Sequence, residues 1–313
     1  MDAIYEQLKK FGSVKANEPM KKHTTFKIGG PARFFVTVTE TDHLVELLHW
    51  LDGEGMLYVI HGGGSNMLVH DEGFEGVVIH VATTTARVDG TLLQADAGCL
   101  TATTARLATE HGLVGYEWAV GVPGTVGGAV RGNAGAGGGE MKDHVVEVDV
   151  YSDGAVVTYT HAECNFGYRH SRFKETKEVV LRVRLGLKKG NKEESMKTLL
   201  AHIAYRTKTQ PKGLASIGCI FKNYEITKGL DGIKVPVPQE FLTKGQLPAG
   251  WLVEQAGLKG KQVGGASVSP VHGNFVVNAG SASAQDVLTL VDEMKSQVYA
   301  TCGVEIEEEI QVV

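Results

Sequence analysis

An α+β architecture built from more than one domain is what this sequence predicts, and three observations predict it. Residues 20–80 alternate short β-rich runs with a helical stretch, the β-α-β rhythm that favours a partly parallel sheet. Three strand-like runs, VVEVDVYS, AVVTYT and EVVLRVRLGL, read as a second unit ending near residue 190. After Pro211 a third region mixes both patterns and closes on an amphipathic helix followed by a period-2 run. A length of 313 residues supports two or three domains with ample core.

Each element follows from its residues. MDAIYEQLKKFGSV places Ile4, Leu8 and Phe11 on one face of a short helix and lacks the apolar core of a signal peptide, which points to a cytoplasmic protein. ARFFVTV is a strand, LVELLHWL has helical apolar spacing, and MLYVIHGGGSN is an apolar run entering a glycine turn. In LTATTARLATEHGL, a helix sets Leu100, Leu107 and Ala108 on one face, with the methyl of Thr104 between them. A charged break, KKGNKEES, precedes the helical pattern MKTLLAHIAYRTKTQ. The polar stretch 224–247, with spaced Gly and Pro, reads as a loop insertion. Ser283 caps a final helix that turns Val287, Leu290, Val291 and Met294 inward. VEIEEEIQVV then repeats apolar residues at 304, 306, 310 and 312, a strand period.

Hydrophobic content of 42% and charged content of 21% are ordinary for a folded globular chain. A formal net charge of −5 without a polybasic run argues against nucleic acid as a partner. No apolar run approaches the roughly 20 residues of a membrane helix, so no membrane role is expected. The four cysteines, Cys99, Cys164, Cys219 and Cys302, form no C-x-x-C pair, which indicates neither a metal site nor a disulfide framework. No apolar dimer face shows in the pattern, and a monomer is expected.

Two glycine-rich turns each follow an apolar run: HGGGSN at 61–66 and GVPGTVGGAVRGNAGAGGGE at 121–140. A glycine weakens a helix or strand by about 0.5–1 kcal/mol relative to alanine, so such a stretch is either floppy or shaped around something that needs bare backbone. A linker would be richer in serine and charge. Successive unencumbered N–H groups form a concave nest for an anion such as a pyrophosphate. Neither turn carries G-x-G-x-x-G or the Lys–Ser/Thr of a P-loop, which disfavours both common nucleotide sites. HGGG also occurs in esterase oxyanion holes, but Ser65 lies in GGSNM rather than G-x-S-x-G, and a serine hydrolase is set aside.

Eight segments in order carry a resemblance: HTTFKIGGPARFF (23–35), HGGGSNMLV (61–69), the 121–140 glycine stretch, CNFGYRHSRFK (164–174), GCIFKN (218–223), PAGWLVEQAGLKG (248–260), GGASVSPVHGNFVVN (264–278) and GVEIEEEI (303–310). Together they resemble the UDP-N-acetylenolpyruvoylglucosamine reductase (MurB) family across nearly the whole chain. The short segment after FGYRHSRFK leaves no room for an extra tyrosine-bearing substrate loop, so the chain looks like the loop-lacking (type II) branch.

The resemblance implies a flavoprotein whose FAD-binding region has two subdomains of the vanillyl-alcohol-oxidase/PCMH type, residues 1–82 and 83–190. The C-terminal strand 303–313 would complete the first, and residues 195–302 would form an α+β substrate domain. FAD would be bound non-covalently between the subdomains. NADPH and the UDP-sugar would visit one cleft in turn, and hydride would pass through the flavin to an enol ether, giving UDP-N-acetylmuramate for peptidoglycan.

It also implies residue roles. Lys27, Ile28 and Gly29, then Gly62, Gly63, Gly64, Ser65 and Asn66, would approach the cofactor. Pro123, Gly124, Val126, Gly127, Gly128 and Gly135 would join them, with Asn133 as a polar contact to the pyrophosphate. Arg169 would grip the substrate carboxylate, since a guanidinium is always charged and presents two donors to it. Cys219 stands where the family pattern usually has a serine proton donor; a thiol, with a pKa of about 8.5 when free, is the more acidic donor. Glu309 would bond the substrate carboxylate or shuttle its proton, which requires a carboxyl raised by burial. Period-2 parity instead puts Glu308 on the apolar face, unless a neighbouring domain covers both faces of the strand. Lys222, Asn223, His272 and Asn274 would contact the substrate, and Tyr224 stands where the family often has proline. Two other readings remain open: a flavin oxidase on the same scaffold, and a binding protein that kept the fold and lost the flavin.

Overall fold

The computed structural model describes residues 3–313, which fall into two compact units. The first comprises residues up to 18, 32–63 and 75–206; the second comprises 19–31, 64–74 and 207–313.

In the first unit, a four-stranded sheet has the order Ser13–Pro19, Pro31–Val38, Phe74–Val81, Tyr58–His61. Its last two strands are parallel, Val59 opposite Val78 and Ile60 opposite Ile79, so the sheet is partly parallel as expected, although residues 62–73 rather than a helix connect that pair. The helix Thr41–Gly53, which lies between Pro31–Val38 and Tyr58–His61 in the chain, buries Leu44, Leu47, Leu48 and Leu51, each contributing about 1.5–3 kcal/mol of transfer free energy. A five-stranded antiparallel sheet follows, in the order Ala155–Thr160, Val145–Ser152, Val179–Gly186, Leu92–Asp96, Ala86–Asp89. One apolar core joins the two sheets.

The helix Thr101–Glu110 is phased differently from the expectation. Leu100 is its N-cap and is 52% exposed, while the inward face is Thr101, Thr104, Ala105, Ala108 and Thr109. Threonines bury here because their hydroxyls find acceptors: Thr104 Oγ1 donates to Thr101 O at 2.9 Å, and Thr101 Oγ1 donates to Val122 O. The helix Lys192–Thr209 begins inside the expected charged break. Asn191 Oδ1 accepts the amides of Glu193 and Glu194, and Ser195 Oγ donates to the buried Glu117 at 2.6 Å.

The second unit has a four-stranded sheet, Ala215–Cys219, Phe275–Asn278, Ala266–Val268, Gln262–Val263, packed with the helices Ala249–Gln255 and Ala284–Cys302. Phe26, Ile28 and Leu68 complete its core. Ser283 caps the last helix as expected: its side chain accepts Asp286 N, and Asp286 Oδ2 accepts Ser283 N, both at 3.0 Å. Val287, Leu290, Val291 and Met294 are all buried.

Two expectations for this unit are corrected. The stretch 224–247 is structured: strands Tyr224–Glu225 and Gln246–Leu247 pair around the helix Gln239–Lys244. Ile226, Ile233, Val235, Val237 and Phe241 pack on the core from spacings that match no single period, so pattern reading misses them. The C-terminal run is not one strand either. Its residues 304 to 308 are extended with a single bridge, Phe221 to Glu308, and a ladder forms only at Gln311–Val312, parallel to Met67–Leu68.

Candidate active site

The two glycine turns meet within the first unit. A Cβ on Gly62 would lie 2.5 Å from Thr125 Oγ1, and one on Gly63 would lie 2.8 Å from Gly124 Cα. Only bare backbone lets the turns approach so closely. Gly124 has φ +99°, and Thr125 caps the short helix Val126–Arg131 by accepting Gly128 N. Gly127 is pressed against Ala97, whose carbonyl accepts the Gly127 amide at 2.9 Å.

These turns suit an anionic dinucleotide. Residues 121–128, GVPGTVGG, carry no acidic side chain, and a Cβ on Gly121 would meet nothing within 4 Å. Nearby, Thr83 is 1% exposed and its Oγ1 has no hydrogen-bond partner. Its backbone abuts Gly98, between the two carbonyls, Ala97 O and Cys99 O, that receive Gly127 N and Val126 N. A buried hydroxyl left unsatisfied costs about 1–3 kcal/mol, which a bound ligand's acceptor would offset.

Asn133, expected as a cofactor contact, has both ends of its amide committed to protein. Nδ2 donates to Glu140 Oε2 at 2.7 Å and Gly167 O at 2.8 Å, while Oδ1 accepts Lys142 N at 2.9 Å. It ties the hairpin Gly135–Ala136/Gly139–Glu140 to the turn that carries Arg169. Arg169 Nη2 in turn donates to Gly135 O at 3.0 Å, and its guanidinium lies 5.5 Å from the Tyr168 ring centroid.

In the second unit, Cys219 ends the strand Ala215–Cys219, opposite Phe275, after an irregularity that includes Gly218 at φ +92°. The next residues run antiparallel to the C-terminus. Glu309 N donates to Ile220 O at 2.7 Å, and Lys222 N donates to Glu307 O at 2.8 Å. This register sets the backbone of Glu309 across from Ile220, the residue after Cys219. On the other side, Asn274 clamps Phe221: Oδ1 accepts Phe221 N at 2.9 Å and Nδ2 donates to Phe221 O at 2.8 Å.

The C-terminal acids separate by partner. Glu308 bonds Lys295 at 2.9 Å. Glu307 bonds Lys228 and Lys222, which together hold its carboxyl below the usual carboxylate range. Glu309 is half-buried, and its carbonyl accepts Asn66 Nδ2 at 3.0 Å. Asn66, expected at the cofactor, therefore also fixes the backbone of a candidate catalytic residue.

The remaining candidates have structural partners of their own. Asn223 Oδ1 accepts Ala249 N at 3.1 Å at the start of its helix. His272 Nδ1 accepts Asn274 N at 3.2 Å, which puts the neutral ring's proton on Nε2, and burial lowers its pKa. Lys27 is exposed with φ +56°, held in a turn by Thr24, whose hydroxyl donates to Ile28 O at 2.8 Å. Gly29 packs against Val69 and Met20, and Gly64 O accepts Thr25 N at 3.1 Å while Ser65 follows it. Among the described residues no cluster of three or more His, Cys, Asp or Glu is placed to hold a metal ion.

Residues 32–160 match the FAD binding domain, and with the α+β fold and the paired glycine turns this defines the class: a flavin-dependent oxidoreductase. Residues 210–313 match the C-terminal domain of UDP-N-acetylenolpyruvoylglucosamine reductase. Proteins of that name from Heliobacterium modesticaldum and Caldanaerobacter subterraneus are 40% and 38% identical, covering 96% and 100% of this chain and 91% and 97% of their own lengths. The crystal structure of the Thermus caldophilus enzyme is 36% identical with a TM-score of 0.77, covering 96% of this chain and 98% of that one. The chain belongs to the UDP-N-acetylenolpyruvoylglucosamine reductase family.

Proposed function

We propose that this protein reduces UDP-N-acetylglucosamine enolpyruvate to UDP-N-acetylmuramate for peptidoglycan precursor synthesis, with FAD as its cofactor and NADPH as the hydride source. The observation that carries the reading is the match of residues 210–313 to the family's C-terminal domain, in which the segment following the strand Ala215–Cys219 pairs with the backbone of Glu307 to Glu309. Residues 1–82 and 83–190 would hold the flavin, and residues 195–302 the sugar nucleotide. Gly62, Gly63 and residues 123–128 would cradle the pyrophosphate, and Lys27–Gly29 and Gly64–Asn66 are further candidate cofactor residues. The chemistry that bound FAD would supply is hydride carriage between NADPH and the alkene.

The protein's own groups make that delivery possible. An enol ether is electron-rich, so hydride adds only if charge is drawn toward the adjacent carboxylate. Arg169 would hold that carboxylate with paired charge-assisted hydrogen bonds and stabilise the enolate-like dianion that develops. Cys219 Sγ–H would protonate the carbon that does not receive hydride, and the thiolate would take a proton back from solvent. Glu309 would bond the substrate carboxylate or relay a proton to it. We also place the protein in the cytoplasm, because both of its substrates are water-soluble and charged, and expect a monomer; among the described residues, no helix is long and apolar enough to cross a membrane.

An anaerobic titration of holoenzyme tests the function. NADPH should bleach the flavin absorbance, and the enolpyruvyl sugar nucleotide should restore it while forming the muramate. A flavin that stays reduced with this substrate and recovers only in air would favour the oxidase; protein that binds no FAD would favour the scaffold.

A further inference from the structure

We propose that Lys174 is the positioning residue for Arg169, holding the arginine's backbone in a left-handed conformation that aims its guanidinium; this rests on Arg169 being the group that grips the substrate carboxylate. Gly167 N donates to His170 O at 3.0 Å and His170 N to Gly167 O at 3.2 Å, closing a tight turn with Tyr168 and Arg169 at its tip. Arg169 has φ +51°, at a turn position where glycine or asparagine is the usual occupant. For a residue with a Cβ, that region is disfavoured by about tenfold. Strained backbone of this kind persists only where the surroundings over-determine it.

Lys174 supplies the restraint at the strained residue's own carbonyl. Its Nζ donates to Arg169 O at 2.8 Å. The carbonyl direction is set by the arginine's ψ, so an ammonium fixed at that oxygen fixes the peptide that follows Arg169. The lysine is itself anchored. It ends the short helical turn Arg172–Lys174, preceded by Phe173 at 1% exposure and by Ser171, whose Oγ donates to Arg131 O at 2.7 Å. Asn133 restrains the other side of the turn through Gly167 O, so the tip is gripped before and after Arg169. A lysine serving only solubility would have no reason to reach back to a main-chain oxygen five residues earlier.

The test uses holoenzyme and four variants: Lys174→Met, Lys174→Arg, Arg169→Ala and the Arg169→Ala/Lys174→Met double variant. Lys174→Met should slow enol ether reduction about tenfold and raise KM for the sugar nucleotide, while flavin reduction by NADPH stays within about twofold. Lys174→Arg, which keeps a cationic donor, should recover most of the rate. In the Arg169→Ala background, Lys174→Met should cause no further loss, because the lysine acts through the arginine. An equal loss from Lys174→Met in both backgrounds, or none in the parent, overturns the proposal. If Arg169→Ala itself reduces the enol ether at the parental rate, the underlying assignment of Arg169 has failed instead. Should Lys174→Met not fold, Lys174→Gln is read in its place against the same outcomes.

Discussion

Asn274→Leu should destabilise the protein by about 2–6 kcal/mol, and the reason lies in the backbone of Phe221. In the segment after Cys219, the C-terminal run bonds Ile220 O and Lys222 N, Asn274 O takes Ile220 N, and Phe221 N and O are left without a main-chain partner in either. The Asn274 amide takes both, at 2.9 and 2.8 Å, and Asn274 is 3% exposed. Leucine has a similar volume but no polar atom, so it strands a buried donor and a buried acceptor, each at about 1–3 kcal/mol. At about 2–4 °C per kcal/mol, the melting temperature should fall by at least about 4 °C. Asn274→Ala, which leaves room for a water to bridge the two groups, should fall by about half as much. Thermal melting of substrate-free holoenzyme is the assay. If Asn274→Leu melts within about 1 °C of the parent and loses only affinity for the sugar nucleotide, Asn274 is a substrate ligand and not a clamp.

Other perturbations follow from the same structure. Thr83→Val should weaken FAD binding about five- to tenfold and stabilise the apoprotein, because it removes an unsatisfied buried hydroxyl; unchanged flavin affinity would separate Thr83 from the cofactor. Gly63→Ala should depress FAD affinity strongly, since its Cβ would meet Gly124 backbone at 2.8 Å; a normal flavin titration would contradict the paired-turn cradle. Cys99, Cys164 and Cys302 are buried, and burial raises all three thiols, Cys99 and Cys164 to about 11. Native protein should therefore show one fast-reacting thiol and Cys219→Ser none, which a colorimetric thiol titration reads directly. Burial also lowers the His144 pKa, and its Nε2 accepts Trp118 Nε1–H at 3.3 Å. The unfolded chain then takes up the proton first, so this contribution to stability is present above about pH 6.5 and is lost as pH falls below it. Melting temperature between about pH 7 and 5 should decline less steeply in His144→Gln, and parallel curves would refute the linkage.

What the sequence made legible follows a physical line. The helix Ala284–Cys302 was readable because its cap and apolar spacing are local, and both glycine turns were readable because their composition is extreme. The buried face of Thr101–Glu110 was not, because threonine is apolar enough to bury only once a distant carbonyl accepts its hydroxyl. The stretch 224–247 read as loop because its apolar residues are fixed by contacts with Trp251 and the second core. In the candidate site, motif order alone pointed to Arg169, Cys219 and Glu309. Lys174 lay inside a quoted motif, yet its reach to the Arg169 carbonyl depends on a left-handed backbone angle that no residue pattern states. Thr83 gave no signal at all, since a single threonine in ATTTA becomes notable only when its hydroxyl is found buried and unmatched.

The chemistry turns on whether the thiol at position 219 delivers the second hydrogen. Stopped-flow measurement of the two half-reactions in Cys219→Ala decides it: NADPH should reduce the flavin at the parental rate, while enol ether reduction should fall by about a hundredfold or more, within the usual worth of a positioned proton donor. Cys219→Ser should retain substantial activity in both steps. Equal losses in the two half-reactions of Cys219→Ala, or none in either, would contradict the assignment.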